Sequence, residues 1–265
     1  MSIFEALLLG LIQGLTEFLP VSSSGHLEIG NVLLGVKTSQ NLLFAVVVHA
    51  ATALSTIVVY RFDIWKIIVD IVSFQWNEST QFAAKILLSM IPVGSVGVFF
   101  EDQIEAFFSG NMMLVGSMLL LTATLLFFTH YSKSSDGNVT FGKAIVIGFA
   151  QAFAILPGIS RSGSTIATAL LLGIDREKAA RFSFLMVLIP ILGAGFLKLL
   201  DFMDAPPEVG DGISAFSLFV GFAAAFTSGL LACRWMIRLV RNGKLSYFAY
   251  YCAVVGVIAI ISNWL

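Results

Sequence analysis

Along the chain of 265 residues the apolar positions gather into runs instead of alternating. Six runs, roughly 42–60, 82–100, 112–130, 182–200, 214–234 and 247–264, suit helices that cross a bilayer core, which takes about 20 residues. Four others, 3–19, 24–36, 141–156 and 164–174, are shorter or broken by polar residues. They form two pairs, each hinged at a Pro/Gly/Ser knot, "LPVSSSGH" at 19–26 and "LPGISRSGST" at 156–165. An apolar segment of about 10–14 residues is more often re-entrant or buried than spanning, so each pair predicts a helix-break-helix hairpin that dips into the membrane and returns. Irregular backbone at that depth requires surrounding protein or a water-filled cavity. Two short full spans per pair would leave every loop on the same side, so loop charge does not separate the two arrangements.

Composition agrees with an all-α, multi-pass integral membrane protein. The chain is 58% hydrophobic and 12% charged, with mean hydropathy +0.93, where a soluble domain carries roughly a quarter charged residues. A net charge of -1 gives no sign of nucleic acid or of an acidic partner. The charges are segregated instead. Arg61, Lys66, Lys85, Lys133, Lys143, Arg176, Lys178, Arg181, Arg234, Arg238, Arg241 and Lys244 fall on one side. The other has only Lys37 and Lys198, beside Glu101, Asp102, Glu105, Asp201, Asp204, Glu208 and Asp211. The positive-inside rule makes the basic side cytoplasmic and sends both termini outward in the cell membrane. Tyr60, Trp65, Tyr131, Trp235 and Tyr247 are expected at the cytoplasmic interface and Trp264 at the outer one. The N-terminus lacks a basic n-region and a small-residue cleavage site, so it is expected to belong to the mature fold. Cys233 and Cys252 have neither disulfide-framework nor zinc-like spacing.

Shifting the chain by 138 residues superposes the knots: Gly10 on Gly148, Gln13 on Gln151, Ser22 on Ser160, Ser24 on Ser162 and Gly25 on Gly163. "LLGV" at 33–36 then meets "LLGI" at 171–174, and Phe44 meets Phe182. The chain thus reads as one membrane domain, 1–265, with internal repeats 1–132 and 139–265, each holding one hairpin and three spans. An odd number of crossings makes the second half enter from the opposite face. The result is an inverted-topology repeat whose knots meet near the midplane.

Gly10, Gln13, Gly14 and Glu17 share one helical face. Pro20 ends that helix, Ser22, Ser23 and Ser24 are N-cap candidates for the next, and Gly25 permits close approach. The second knot repeats this with Pro157, Gly158, Ser160, Ser162, Gly163, Ser164 and Thr165, and adds Arg161. Two helix N-termini converging beside an arginine make an oxyanion site, with phosphate the best match. Glu17 would repel a bare phosphate unless a divalent cation, Mg²⁺ or Ca²⁺, or a shared proton stood between them. Charges at the bilayer centre cost roughly 2.5–3.5 kcal/mol each, so Glu17 and Arg161 point to function, although a buried salt bridge closing the two repeats is the alternative. Gln13 and Gln151 serve equally as interhelical glue or substrate contacts. His49 and His130 read as packing or interfacial residues, and Glu28 as a rim charge.

With these motifs the chain resembles the undecaprenyl-diphosphate phosphatases, the bacitracin-resistance family. The resemblance rests on "QGLTEFLPVSSSGH" and "LPGISRSGST" and covers essentially the whole sequence. It implies a membrane hydrolase that removes the terminal phosphate of a polyprenyl diphosphate, recycling the carrier for cell-wall glycan synthesis. It also implies a divalent metal and an active site open to the outer face. Glu17, Ser23, His26 and Arg161 match the family's essential residues, while Gln13 replaces the commoner glutamate and leaves the metal's second ligand open. Arg161 would hold the diphosphate, Glu17 would act through the metal, and Ser23 would attack with His26 beside it as base or acid. A water nucleophile, with Ser23 only binding, is the alternative. A transporter or flippase of a lipid phosphate or other anion is the competing function. A homodimer is compatible with the chain.

Overall fold

The structure is a computed structural model that describes residues 1–36, 41–100, 104, 107, 111–132, 135–204 and 213–262, with 41, 42, 194 and 198–204 as backbone only. Lys37, Glu101, Asp102, Glu105, Lys133, Glu208, Asp211 and Trp264 of the charge and aromatic pattern lie outside the described residues, as do the side chains of Lys198, Asp201 and Asp204. The regular elements among the described residues are all helices, with no strand beyond one isolated bridge between Gly137 and Ile174. In chain order the helices are α1 (Ile3–Phe18), α2 (Ser23–Leu34), α3 (Asn41–Val59), α4 (Arg61–Val72), α5 (Glu78–Phe99), α6 (Met112–Phe128), α7 (Phe141–Phe153), α8 (Arg161–Leu171), α9 (Arg176–Met186), α10 (Leu188–Asp204), α11 (Ala215–Arg241) and α12 (Ser246–Ser262).

The expected apolar runs are helical where they are described, the run 182–200 being divided at Val187, and the knots break where expected. α1 ends at Leu19, just before Pro20, and α2 starts on the N-cap Ser22, whose Oγ accepts from the Gly25 amide. α8 repeats this with N-cap Ser160 accepting from Gly163 N. At 12 and 11 residues, α2 and α8 reach only about 16–18 Å at 1.5 Å per residue, far short of a bilayer core. Among the described residues four stretches are long and apolar enough to span, Glu78–Phe99, Met112–Tyr131, Arg176–Leu197 and Ala215–Arg241, and the bent pair Leu43–Val59 with Arg61–Val72 makes a fifth if it is one span, where the sequence suggests six. The third contains a turn at Val187 between α9 and α10, three residues before Pro190, which has no N–H to continue the ladder.

Two details differ from expectation. Residues 61–72, counted only as part of a charged loop, form α4, bent 78° from α3. It buries none of its residues and exposes Phe62, Trp65, Ile68 and Val72, as an interfacial helix does. Tyr60 is not an interfacial aromatic: it is buried, with its ring 6.5 Å from that of Phe184. Cys233 and Cys252 are free and buried.

Helices pack through small residues, as they must where lipid is as apolar as leucine. α1 lies along α11 and α7 along α5. A Cβ at Gly10 would stand 2.4 Å from the Gly221 carbonyl oxygen, and one at Gly148 2.4 Å from that of Ser89. The basic segments meet at one end of the molecule: Arg181 pairs with Asp63 at 2.6 Å, Arg241 with Glu177 at 3.7 Å, and Lys178 donates to Asn138 at 2.6 Å. The largest buried cluster includes Phe18, Phe182, Phe184, Met186 and Met236, with the Phe18 and Phe184 rings edge to face at 5.8 Å. It holds the C-terminus of α1, and therefore Glu17, in place.

Because the atoms opposing Gly10 and Gly148 are backbone, they cannot rotate away. Gly10→Val and Gly148→Val should each cost about 1–3 kcal/mol and lower the temperature at which the protein stays monodisperse in detergent. Gly94→Ala, with nothing within 4 Å of its Cβ, should leave that temperature unchanged or raise it.

Candidate active site

The two breaks touch. A Cβ on Gly25 would meet Gly158 Cα at 3.1 Å, and one on Gly163 would meet Pro20 Cβ at 3.1 Å, a reciprocal contact under the 138-residue shift. The irregular backbone is satisfied from within the protein. Ser162 Oγ donates to the Leu19 carbonyl at 3.2 Å and Cys252 Sγ to that of Pro20 at 3.6 Å. Thr122 Oγ1 donates to the Gly158 carbonyl at 3.2 Å and accepts from Ser160 N at 3.1 Å. Ser22 holds φ +70°, a strained value for a residue with a Cβ. Its Oγ lies 3.3 Å from that of Ser24, as Ser160 Oγ does from Ser162 Oγ.

Glu17 is the centre. Its side chain is 6% exposed; Arg161 donates to Oε1 at 2.8 Å, and Ser23 Oγ and Gln13 Nε2 donate to Oε2 at 2.6 and 2.9 Å. Ser23 and Arg161 are equivalent under the shift, each the first residue of its helix, so the two hairpins present their leading side chains to one carboxylate. Gln13 is fully buried and its Oε1 has no partner. Beside Glu17 and Arg161, a cavity of about 10 Å³ is lined by Gln151, Ser162, Thr165, Thr56 and Ser183, room for about one water. Ser164 and Thr165 are buried, and Thr165 Oγ1 donates to the Arg161 carbonyl of its own helix at 2.9 Å.

His26 does not flank the Ser23 hydroxyl. Its Nδ1 is 2.8 Å from the Ser22 carbonyl, one helical turn back, and its Nε2 is 2.8 Å from Tyr251 Oη on α12. A carbonyl only accepts, so Nδ1 carries the hydrogen and neutral Nε2 accepts from Tyr251. The group beside Ser23 that can take a proton is Glu17. His49, expected to pack, instead lies 3.8 Å from Glu17 through Nε2. A polar row at 49, 52, 55 and 56 on α3 marks it in the sequence, since these positions share a helical face; Thr52 Oγ1 accepts from Gln13 Nε2 at 3.5 Å. Tyr251, one aromatic among several near a span end, carries no comparable signal. Gln151 Nε2 is 3.8 Å from Met90 Sδ. Glu28 makes no hydrogen bond or ion pair with this cluster among the described residues.

A hydroxyl on a carboxylate, an arginine and two helix N-termini form a phosphoryl-transfer constellation. The family model for bacitracin resistance protein BacA matches residues 6–258. The chain belongs to this family. As a BacA-family member it is a multi-pass membrane protein. It is similar to the undecaprenyl-diphosphatase of Bacteroides fragilis, 54% identical over 263 residues that cover 99% of this chain and 98% of that protein. Against the undecaprenyl-diphosphatase of Bacteroides thetaiotaomicron it is 54% identical over 264 residues, 99% of this chain and 100% of that protein. The Parabacteroides distasonis enzyme of the same name is 53% identical over 261 residues, 98% of each chain.

Removing one partner of a buried pair strands the other. Arg161→Ala and Glu17→Gln should each lower the stability of this BacA-family protein by about 3 kcal/mol. The double variant Glu17→Gln/Arg161→Met should recover a large part of that loss. Thermal unfolding of the three proteins in detergent checks the cycle.

Proposed function

We propose that this chain hydrolyses undecaprenyl diphosphate, or a related polyprenyl diphosphate, to the monophosphate and inorganic phosphate. The reaction returns the lipid carrier to cell-wall glycan synthesis and confers bacitracin resistance. The observation that carries this reading is the convergence of Ser23 and Arg161, from two different hairpins, on the buried carboxylate of Glu17.

Arg161 and the N-terminus of α8 bind the diphosphate and stabilise charge on the transferring phosphoryl group, the main source of catalysis in such reactions. Ser23 Oγ attacks the terminal phosphorus, its proton passes to the Glu17 carboxylate, to which it is already hydrogen-bonded at 2.6 Å, and polyprenyl monophosphate leaves. Water then cleaves the phosphoserine, releasing inorganic phosphate and restoring the hydroxyl. Ser22, Ser24, Ser160 and Ser162 with the amides of Gly25 and Gly163 line the phosphate cradle. His26 serves the headgroup from the rim once Nε2 parts from Tyr251.

A divalent cation fits these residues. The buried Gln13 Oε1 lacks a partner beside Glu17, and among the described residues no three His, Cys, Asp or Glu groups cluster. The protein therefore supplies part of the ligand set and phosphate oxygens the rest, as is usual for Mg²⁺. When bound, the cation neutralises phosphate oxygens facing Glu17.

The same reading makes the fold an inverted repeat with two re-entrant hairpins, within one domain of repeats 1–132 and 139–265. Its support is the exchange of partners, α1 on α11 and the equivalent α7 on α5, together with the reciprocal contact at the knots. The basic end is cytoplasmic, and the termini and site open outward.

Purified protein in micelles should release inorganic phosphate from a polyprenyl diphosphate and lose activity with EDTA. Arg161→Ala and Glu17→Ala should each reduce turnover at least about 100-fold. A transporter, which needs two compartments, would release none. For topology, single cysteines replacing Asn111 and Asn242 should react with a membrane-impermeant thiol reagent from outside and from inside, respectively.

A further inference from the structure

His49 has no task in the reaction above, yet it is the remaining polar group at Glu17 Oε2. Its Nδ1 lies 2.8 Å from the Ala45 carbonyl oxygen, so that nitrogen carries a hydrogen and Nε2 is the nitrogen turned to Glu17, a lone pair whenever the ring is neutral. That lone pair stands 3.8 Å from a carboxylate oxygen. The separation is too long for a hydrogen bond, and a lone pair facing a carboxylate oxygen needs positive charge between them, a proton on Nε2 or a metal cation. It does suit one cation bonded to both at about 2.0–2.2 Å. Gln13 supplies an independent observation: it is fully buried, donates through Nε2 to the same Oε2 at 2.9 Å, and has no partner for Oε1. The Nδ1–H bond to a helix carbonyl is also the outer support that metal-bound imidazoles typically have.

We propose that His49 is the nitrogen ligand of the divalent cation, paired with Glu17 and assisted by the neutral oxygen of Gln13. This rests on the metal-dependent reading above and answers the question raised by Gln13: the ligand that a second carboxylate would supply comes from α3. An imidazole ligand makes the site favour Mn²⁺, Co²⁺ or Zn²⁺ over Mg²⁺ and Ca²⁺.

The test uses the full chain in micelles with Mn²⁺ alone, and then with inorganic phosphate, reading the coupling of ¹⁴N to the bound ion by pulsed electron paramagnetic resonance. Native protein and His130→Gln should show a directly bound imidazole. His49→Gln, or His49→Asn where the first does not fold, should lose that coupling and bind Mn²⁺ about tenfold more weakly or worse, with Mg²⁺ affinity changed less than about threefold. Bound Mn²⁺ without nitrogen coupling in native protein, or coupling that survives loss of His49, overturns the assignment while leaving the metal reading intact. No Mn²⁺ binding by native protein overturns both.

Discussion

The structure turns on a single carboxylate removed from water. Glu17 is 6% exposed and is held by Arg161 at 2.8 Å and Ser23 at 2.6 Å. A lone charge at that depth would cost several kcal/mol, and each of the two would do so if it stood alone. Their pairing makes the burial tolerable, and it does so across the boundary between the two repeats. The bridge ties α1 to α8 and, on the proposed reaction, also arranges the reacting groups, so a closing salt bridge and a functional site are compatible descriptions.

The pseudo-symmetry explains how a membrane protein holds such a cluster rigidly. Each hairpin break is a polar defect in the fold, and each is satisfied by hydroxyls and thiols rather than lipid-facing solvent: Ser162 on Leu19, Cys252 on Pro20, Thr122 on Gly158. Function enters where the symmetry fails. The partner of Ser23 under the shift is Arg161, and the partner of Glu17 is Ile155. The knot at 19–26 brings the hydroxyl beside the Glu17 carboxylate, and the knot at 156–165 brings the guanidinium. Two identical knots would have presented two carboxylates to each other or two arginines, and neither set binds and activates a phosphate.

Most of this was legible in the sequence because its physical causes are local or repetitive. Run length, Pro20 and Pro157 place the helices and breaks, and a gapless register shared by Gly10, Gln13, Ser22 and Gly25 brings the knots together. What escaped depends on side-chain direction. His26 lies three residues after Ser23, which on a regular helix suggests a shared face. Yet Ser23 is the first residue of α2 and turns back to Glu17, whereas His26 reaches its own Ser22 carbonyl and Tyr251. His49 was hidden by its apolar surroundings, "VVVHAAT", and emerges only when the spacing to Thr52 and Thr56 is counted. α4 was lost in a charge count because its Arg61, Asp63 and Lys66 masked the exposed Phe62 and Trp65.

The resting contacts also constrain how substrate enters. Arg161 is already occupied by a carboxylate, and the neighbouring cavity holds about one water, so no diphosphate fits without a rearrangement. Arg161 and His49 are the partly exposed groups, at 25% each, whereas the Glu17 carboxylate is 6% exposed. An incoming phosphate therefore meets the arginine first and competes with Glu17 for it. In the proposed reaction a diphosphate, which brings more negative charge than one carboxylate and can engage the α8 N-terminus in addition, wins that exchange and leaves Glu17 free to take the Ser23 proton. On that proposed reaction the Arg161–Glu17 contact acts as a gate: Glu17 remains committed to Arg161 until a phosphate displaces it.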